Sequence, residues 1–296
     1  MKLVGIVLVF VCTFGGLLIA MHFDFTKFTH LLMLVLGAMP GEFVIIFGCA
    51  VAAFVIAESG DTIKSTIGYL GALTKPAAFS KDDYIELFSM LFTVFKLART
   101  KGWLALENHI ENPDESDLFG QFPTFKGDHH ALIFLCDYLR IISLGNDKPG
   151  EIGALMSEEI HTIEHHEGHP GHAVQHMADG IPALGIVAAV LGVIKTMASI
   201  NEPPEVLGKL IGGALVGTFL GVWLSYAFVS PIASAMAGKA ETKVMYFKCM
   251  KVCIVAFLGG AAPQVAVEFG RKFLPHDVQP TFQELEEKLN ELPSPS

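Results

Sequence analysis

From Leu210 to Gly238 the sequence runs for 29 residues without a charged side chain. A soluble fold rarely uses such a stretch, because a surface helix presents polar residues on its outer face at every turn and a strand ends after about five or six residues. A bilayer does use it. Crossing ~30 Å of hydrocarbon takes about 20 mostly apolar residues whose backbone groups are all bonded within the helix. The same criterion finds three more candidates. Leu3–Met21 is uncharged, Leu31–Ala57 is interrupted only by Glu42, and Ile181–Ile200 carries one charge, Lys195, close enough to an end to snorkel. Leu3–Met21 is too long for a signal-peptide core and ends Leu18-Ile19-Ala20-Met21 rather than in a small-x-small cleavage site, so an uncleaved span is expected. Pro40-Gly41 predicts a short interfacial segment, a break, and then a span over about 41–57. The uncharged stretch Val252–Val267 is short and contains Gly259-Gly260 and Pro263, which favours a buried or interfacial helix over a fifth span.

Composition agrees. The chain is 52% hydrophobic and only 17% charged, where roughly 25% charged is usual. Its net charge of -10 offers no basic stripe to displace counterions from phosphates, which excludes nucleic acid as a partner. Five scattered cysteines form neither a disulfide framework nor a CxxC metal pattern.

Lysine and arginine near span ends set orientation. The segment Glu58–Ala178 holds nine, including Lys64 and Lys75 near the membrane, and the tail after Gly238 holds seven, whereas the two short connections hold Lys27 and Lys209 alone. Both termini and the large middle segment are therefore expected in the cytoplasm. The expected fold is an all-α integral membrane protein with four spans in two hairpins, a helical cytoplasmic insert and extended cytoplasmic helix ends. Its parts are 1–57 (spans about 3–21 and 41–57), the insert 58–178, 179–238 (spans about 181–200 and 210–232), and the cytoplasmic helices of 239–296.

Within the insert, Ser80-Lys81-Asp82-Asp83 opens a helical pattern of apolar positions that reaches about Thr100, where Gly102 interrupts it. Leu132–Leu144 predicts another helix, and Thr281–Ser296 a short acidic helix ending in a frayed Pro-Ser stretch. The insert's 18 acids against nine bases give it an acidic, solvated surface.

No nucleotide loop, GxSxG elbow or HExxH motif is present in the sequence. Six of the 12 histidines fall between His161 and His176. The pairs His161/His165 and His172/His176 have the i,i+4 spacing that suits a transition metal. Gly168, Pro170 and Gly171 are expected to break the helix between the pairs, which makes a solvated interfacial linker the plainer reading and a metal or pH-sensing site the sharper one. Cys249 and Cys253, one turn apart, read as packing residues in a reducing cytoplasm.

The third and fourth apolar runs contain no Asp or Glu, although intramembrane ionisable groups normally mark an ion route. They offer small-residue faces instead: Gly213, Gly217 and Gly221 on the fourth, and Gly185, Ala189 and Gly192 on the third. Such faces let helices approach closely, either within this chain or around a helix of another, with Thr218 among them as a polar handle. Pro182 and Pro231 stand at the cytoplasmic ends of these two runs as a matched pair of potential kinks.

Several segments carry a family resemblance. The run Asp179-Gly180-Ile181-Pro182-Ala183-Leu184-Gly185 continuing to Gly192 resembles the third span of MotA-type flagellar stator subunits. Val216-Gly217-Thr218-Phe219-Leu220-Gly221 with Phe228-Val229-Ser230-Pro231 resembles their fourth, Ala266–Lys272 (AVEFGRK) their tail, and Gly102…Leu106–Ser116 (LENHIENPDES) their cytoplasmic motif. The resemblance implies a multi-pass protein of the bacterial inner membrane, not an enzyme and without a cofactor. It implies five copies around two of a MotB-type partner that brings an intramembrane aspartate, with protons as the translocated ion and a FliG-type rotor switch protein as the cytoplasmic partner. It also implies residue roles. Arg99 and Glu107, with Asp137 and Glu159 as additions, would face the rotor; Pro182 and Pro231 would couple ion flow to movement; Thr218 and Ala189 would line the ion pathway; Gly185, Gly213, Gly217 and Gly221 would pack the partner helix. The alternatives are an ExbB/TolQ-like energiser, or a membrane-bound metal-binding protein built on His161, His165, His172 and His176.

Overall fold

A computed structural model describes residues 2–74 and 79–292, and every regular element among them is helical. Lys75 and the Pro-Ser tail lie outside the described residues. In chain order the longer elements begin with α1 (Lys2–Ala20), α2 (Phe25–Ala57), α3 (Gly60–Ala72) and α4 (Lys81–Lys101). The short helices α5 (Glu107–Glu111), α6 (Asp117–Gly120) and α7 (Pro123–Gly127) lead to α8 (His129–Ser143) and the 50-residue α9 (Pro149–Ala198). Then come α10 (Pro204–Leu224), a π-helical turn (Ser225–Val229), α11 (Ser230–Leu258), α12 (Pro263–Phe273) and α13 (Phe282–Glu291). Two compact units share this chain: Met1–Thr74 with Gly168–Gly238, and Lys75–Glu167 with Lys239–Ser296. The divisions at 168 and 238 fall inside α9 and α11, and the one at 74 follows the end of α3.

The first unit is apolar on its outside. Ile56 is 86% exposed and Met33 75%, while its small buried core consists of residues such as Ile46, Ala50, Val174, Ala178, Ile181, Ala188 and Leu220. Large aliphatic side chains displayed this widely find a stable environment in lipid. Three helical runs here, Phe25–Ala57, Pro149–Ala198 and Pro204–Leu258, contain stretches long and apolar enough to cross a membrane, and Val4–Ala20 is a shorter apolar helix. Trp223 on α10 holds α1 in place. Its indole N–H donates to Thr13 Oγ1 at 3.0 Å, and its ring meets Phe10 edge-on at 5.2 Å.

Two expected breaks do not occur. Pro40-Gly41 lies inside a continuous α2. The His-rich stretch is helical, with Pro170 inside α9. Pro182 likewise stands within α9. Each proline removes one backbone donor, but a non-helical backbone would leave many more groups unbonded where water is scarce. Packing supports the Pro170 turn as well: a Cβ on Gly171 would lie 3.2 Å from the backbone N of Ala237, so α11 presses directly on this part of α9.

The second unit is a helical domain with its own buried apolar core. α4 opens with a capping box in which Ser80 and Asp83 bond each other's backbone N–H groups, and it ends at Gly102, whose φ of 81° suits glycine. Tyr84, Phe88, Leu91 and Phe95 from α4 are buried with Phe247, Met250 and Ile254 from α11 and Ala266 and Val267 from α12. The stretch 252–267 is thus no span. It is the end of α11, a reversal at Gly259-Gly260 (φ of Gly260 93°) and the start of α12, folded into this core. A second capping box, Thr281 with Glu284, opens α13, and Lys81 Nζ reaches Glu284 Oε1 at 2.6 Å. That hydrogen bond, with those from Thr281, holds the Glu284 carboxyl down at about 2.

The AVEFGRK segment is explained by packing. Arg271 is buried, paired with Glu268 through Nε–Oε2 at 2.7 Å, and donates from Nη1 to the Pro280 carbonyl at 2.9 Å. Gly270 leaves room for Cys253 and Cys249, both buried: a Cβ there would overlap Cys253 Sγ and fall 2.9 Å from Phe88 Cε1. Gly270→Ala is therefore expected to destabilise the second unit by ~1–3 kcal/mol, read as a lower thermal midpoint of the purified protein. Cys253→Ala in the same chain should recover part of that loss, because it removes the nearest obstruction; no change on Gly270→Ala would contradict the packing described.

Candidate functional site

In the first unit the site is the line along which α9 and α10 touch. Gly185 and Gly221 are so close that a Cβ on Gly221 would lie 2.8 Å from Gly185 Cα, and one on Gly185 would lie 2.9 Å from the Gly217 carbonyl oxygen. Gly192 meets Ala214 in the same way, at 2.7 Å from its Cβ. A Cβ on Gly217 would meet Glu42 Oε2 at 2.8 Å and the backbone N of Ala189 at 3.1 Å. Gly185, Gly217 and Gly221, read from the sequence as a surface for another chain's helix, are thus committed to contacts inside this chain. The physical reason is that backbones this close leave no groove between them. Gly213 differs, since a Cβ there would meet only Ala38 Cβ, at an ordinary 3.7 Å. Ala189 is half-buried beside Gly217, and Thr218, the next residue along α10, is exposed.

Both prolines lie where helix hydrogen bonding is disturbed. Pro182 cannot donate to the Ala178 carbonyl one turn earlier, and that orphan accepts from the buried Ser225 hydroxyl at 2.7 Å instead. Ser225 begins the π-helical turn that ends just before Ser230 and Pro231, and the Ser230 N–H bonds back to the Ser225 carbonyl. Ser230 Oγ donates to Gln175 Oε1 at 3.0 Å, while Gln175 Nε2 donates to Asp179 Oδ1 at 2.8 Å. Two serines bracketing the π turn therefore fasten α10–α11 to the stretch of α9 just before Pro182. π turns and prolines are the places where helices bend. Nothing in the hydropathy pattern singled out Ser225; its significance depends on which carbonyl Pro182 leaves open.

The second unit carries a charged edge. Arg99, exposed near the C-terminus of α4, donates to the Ala261 carbonyl at 3.1 Å, and exposed Glu107 begins α5 just beyond Gly102. Asp137 and Glu159 are also exposed, but each has a partner within the chain. Asp137 Oδ1 accepts from Arg140 Nη1 at 2.8 Å, with Glu111 on the other side of that guanidinium, and Glu159 accepts from the Tyr138 hydroxyl at 2.7 Å. Burial, and then the bond to Glu159, push the Tyr138 phenol well up. Within the LENHIENPDES motif, His109 Nδ1 lies 2.8 Å from Ser116 Oγ, and Ser116 caps α6.

The histidines do not form a centre. Among the described residues no three His, Cys, Asp or Glu side chains gather as a metal site would require. His161 and His165 belong to the second unit, whereas His172 and His176 belong to the first. His169 Nδ1 lies 3.8 Å from Glu58 Oε2, an ion pair only when the ring is protonated.

Helical throughout its described residues, with apolar segments long enough to span a bilayer and a glycine-sealed helix pair, the chain has the make-up of a multi-helix membrane protein. Comparison with known proteins specifies which. Residues 3–102 match the motility protein A N-terminal family and residues 133–248 the MotA/TolQ/ExbB proton channel family. Motility protein A of Salmonella typhimurium is 40% identical over 263 residues, covering 88% of this chain and 89% of that one. The flagellar MotAB stator complex of Bacillus subtilis superposes with a TM-score of 0.66 at 27% identity, over 92% of this chain and 95% of that one. C. jejuni MotAB shares the fold, with a TM-score of 0.67 at 20% identity over 94% and 97% of the two chains. The chain belongs to the motility protein A family: it is a subunit of the flagellar motor stator and not an enzyme.

Proposed function

We propose that this subunit surrounds a MotB-type partner, five copies around two, and converts proton flow across the inner membrane into rotation against a FliG-type rotor protein. The observation that supports this reading most is the pairing of Pro182 with the π turn before Pro231 through the Ser225–Ala178 bond. We take this junction, held by one exchangeable hydrogen bond, as the bend of the helical runs that carry Ala189 and Thr218. The partner's helix supplies an aspartate opposite the exposed face of Thr218, and its protonation and release of a proton reset the bend. Four spans place both termini and the second unit in the cytoplasm, where Arg99 and Glu107 meet rotor charges. Protons are the translocated ion, and no cofactor takes part.

The test is co-purification with the partner subunit and a count of the copies of each. A complex of five and two supports the reading, whereas a stable complex without any partner contradicts it. Exposed ion pairs contribute roughly 0–1 kcal/mol each, so reversing either Arg99 or Glu107 alone is expected to lower torque in part. The double reversal Arg99→Glu/Glu107→Lys should impair swimming clearly at low expression, and compensating reversals on the rotor should restore it. Wild-type swimming of the double variant would remove these residues from the rotor interface.

A further inference from the structure

Glu42 is the one charge in the apolar stretch Leu31–Ala57. It lies in the interior of α2, within a segment apolar enough to span a membrane. An ionisable group held there is costly and persists where it has work to do. Its Oε2 is fully buried and has no hydrogen-bond partner among the described residues. That oxygen points at Gly217, where the missing Cβ opens the seat it occupies: any side chain on 217 would fall 2.8 Å from it. Ala188 and Ala189 of α9 close the other side. A carboxyl so placed satisfies its oxygens more easily with a proton than without one, because an unbonded buried oxygen anion forfeits the hydration it would have in water.

Open space approaches it, although Glu42 itself is not part of the lining. A cavity of about 710 Å³ opens beside the turn between α1 and α2, lined by Thr26, Thr29 and His30 of α2 and Lys209 of α10. It continues inward to Ala38 and Gly213, and those two stand one helical turn before Glu42 and Gly217 respectively. Polar groups at the mouth and small residues at the depth suit a water-filled entry. The charged and titratable groups facing this site are His30 from α2 itself, Lys195 from α9, which attracts the carboxylate, and Lys209 from α10. From α1 none is found among the described side chains.

We propose that Glu42 is a proton-binding carboxyl of this subunit, loaded through the cavity between α2 and α10 and placed in series with the acid that the partner brings. The inference rests on the preceding reading for its orientation, with the cavity mouth on the extracytoplasmic side, and for the partner. The proton arrives from water in the cavity, converts the carboxylate to the neutral acid, and leaves toward the Ala189–Thr218 face. The subunit's own acid thereby holds the ion on the entry side of the α9–α10 contact.

Two measurements test this on the full-length chain. In membranes, dicyclohexylcarbodiimide adds the acid O–H of a protonated carboxyl across its C=N bond, giving an acylisourea that rearranges to a stable acylurea. Peptide mapping should find the adduct on Glu42, with or without the partner, declining as external pH rises and absent in Glu42→Gln. In cells with the partner, loss of a positioned proton-transfer group slows transfer by ~10²–10⁴-fold, so Glu42→Gln should cut rotation speed at least about tenfold. Its membrane level and co-purification should stay normal, and Glu42→Asp should retain rotation with a shifted dependence on external pH. Absence of the adduct overturns the proposal, and so does normal rotation of Glu42→Gln in a strain where deleting the gene stops rotation. If deleting the gene leaves motility intact, it is the stator reading that fails instead.

Discussion

Pro182→Ala is expected to abolish rotation while leaving the protein at its normal level in the membrane and bound to its partner. Alanine is better than proline in a helix interior by ~3 kcal/mol, so this substitution should not weaken α9. It restores an N–H that can donate to the Ala178 carbonyl, the acceptor now used by Ser225 at 2.7 Å. The bend then loses its second hydrogen-bonding arrangement, and the helix has one good state instead of two. A defect that comes with an unchanged or raised thermal midpoint separates this cause from damage to folding. Ser225→Ala approaches the same bond from the other side: it leaves the Ala178 carbonyl unsatisfied, and it should lower both stability and speed. Normal swimming of Pro182→Ala, measured at native expression, would remove the bend from the mechanism.

The second large effect is expected at Gly221. A methyl group there meets backbone on every side, with Gly185 Cα at 2.8 Å, Gly185 N at 3.2 Å and the Ile181 carbonyl at 3.2 Å. No rotamer change relieves such a contact, so α9 and α10 must separate, at ~1–3 kcal/mol for overpacking and with the loss of neighbouring contacts such as Gly192–Ala214. Gly221→Ala should therefore lower membrane level and motility severely. Gly213→Ala, eight residues away on the same stripe, should swim nearly normally, because its new methyl meets only Ala38 Cβ at 3.7 Å. Equal tolerance of the two substitutions, read by immunoblot and swimming speed, would contradict the helix contact described here.

The contrast between Gly213 and Gly221 marks how far the sequence could be read. A four-residue glycine repeat announces close helix packing, but the repeat cannot say which partner fills it; that depends on how α10 is turned about its axis. Apolar run lengths pointed to the helices that carry the membrane-length apolar stretches, because lipid imposes length and composition together. Proline was over-read as a helix breaker at Pro40 and Pro170, since its local preference is overridden where neighbouring helices and low water content favour continued helix. The capping signals at Ser80 and Thr281, by contrast, act within one turn and were readable directly. The pairings along the charged edge were not legible. Arg99 and Glu107 emerge exposed, whereas Asp137 and Glu159 turn out to be held by Arg140 and Tyr138, pairings between positions that sequence spacing does not reveal. Glu42 was visible as a lone charge in an apolar run, yet its meaning came from the buried, unbonded oxygen over Gly217.

The proposed function divides the labour in the membrane: this chain would shape the path and the bend, and a second polypeptide would contribute the acid that completes it. Proton uptake into sealed vesicles, compared for the two-protein complex, for the complex whose partner aspartate is changed to asparagine, and for this chain by itself, measures that directly. Uptake by the intact complex alone is the predicted result. Comparable uptake by the solitary chain, or by the asparagine complex, would contradict it.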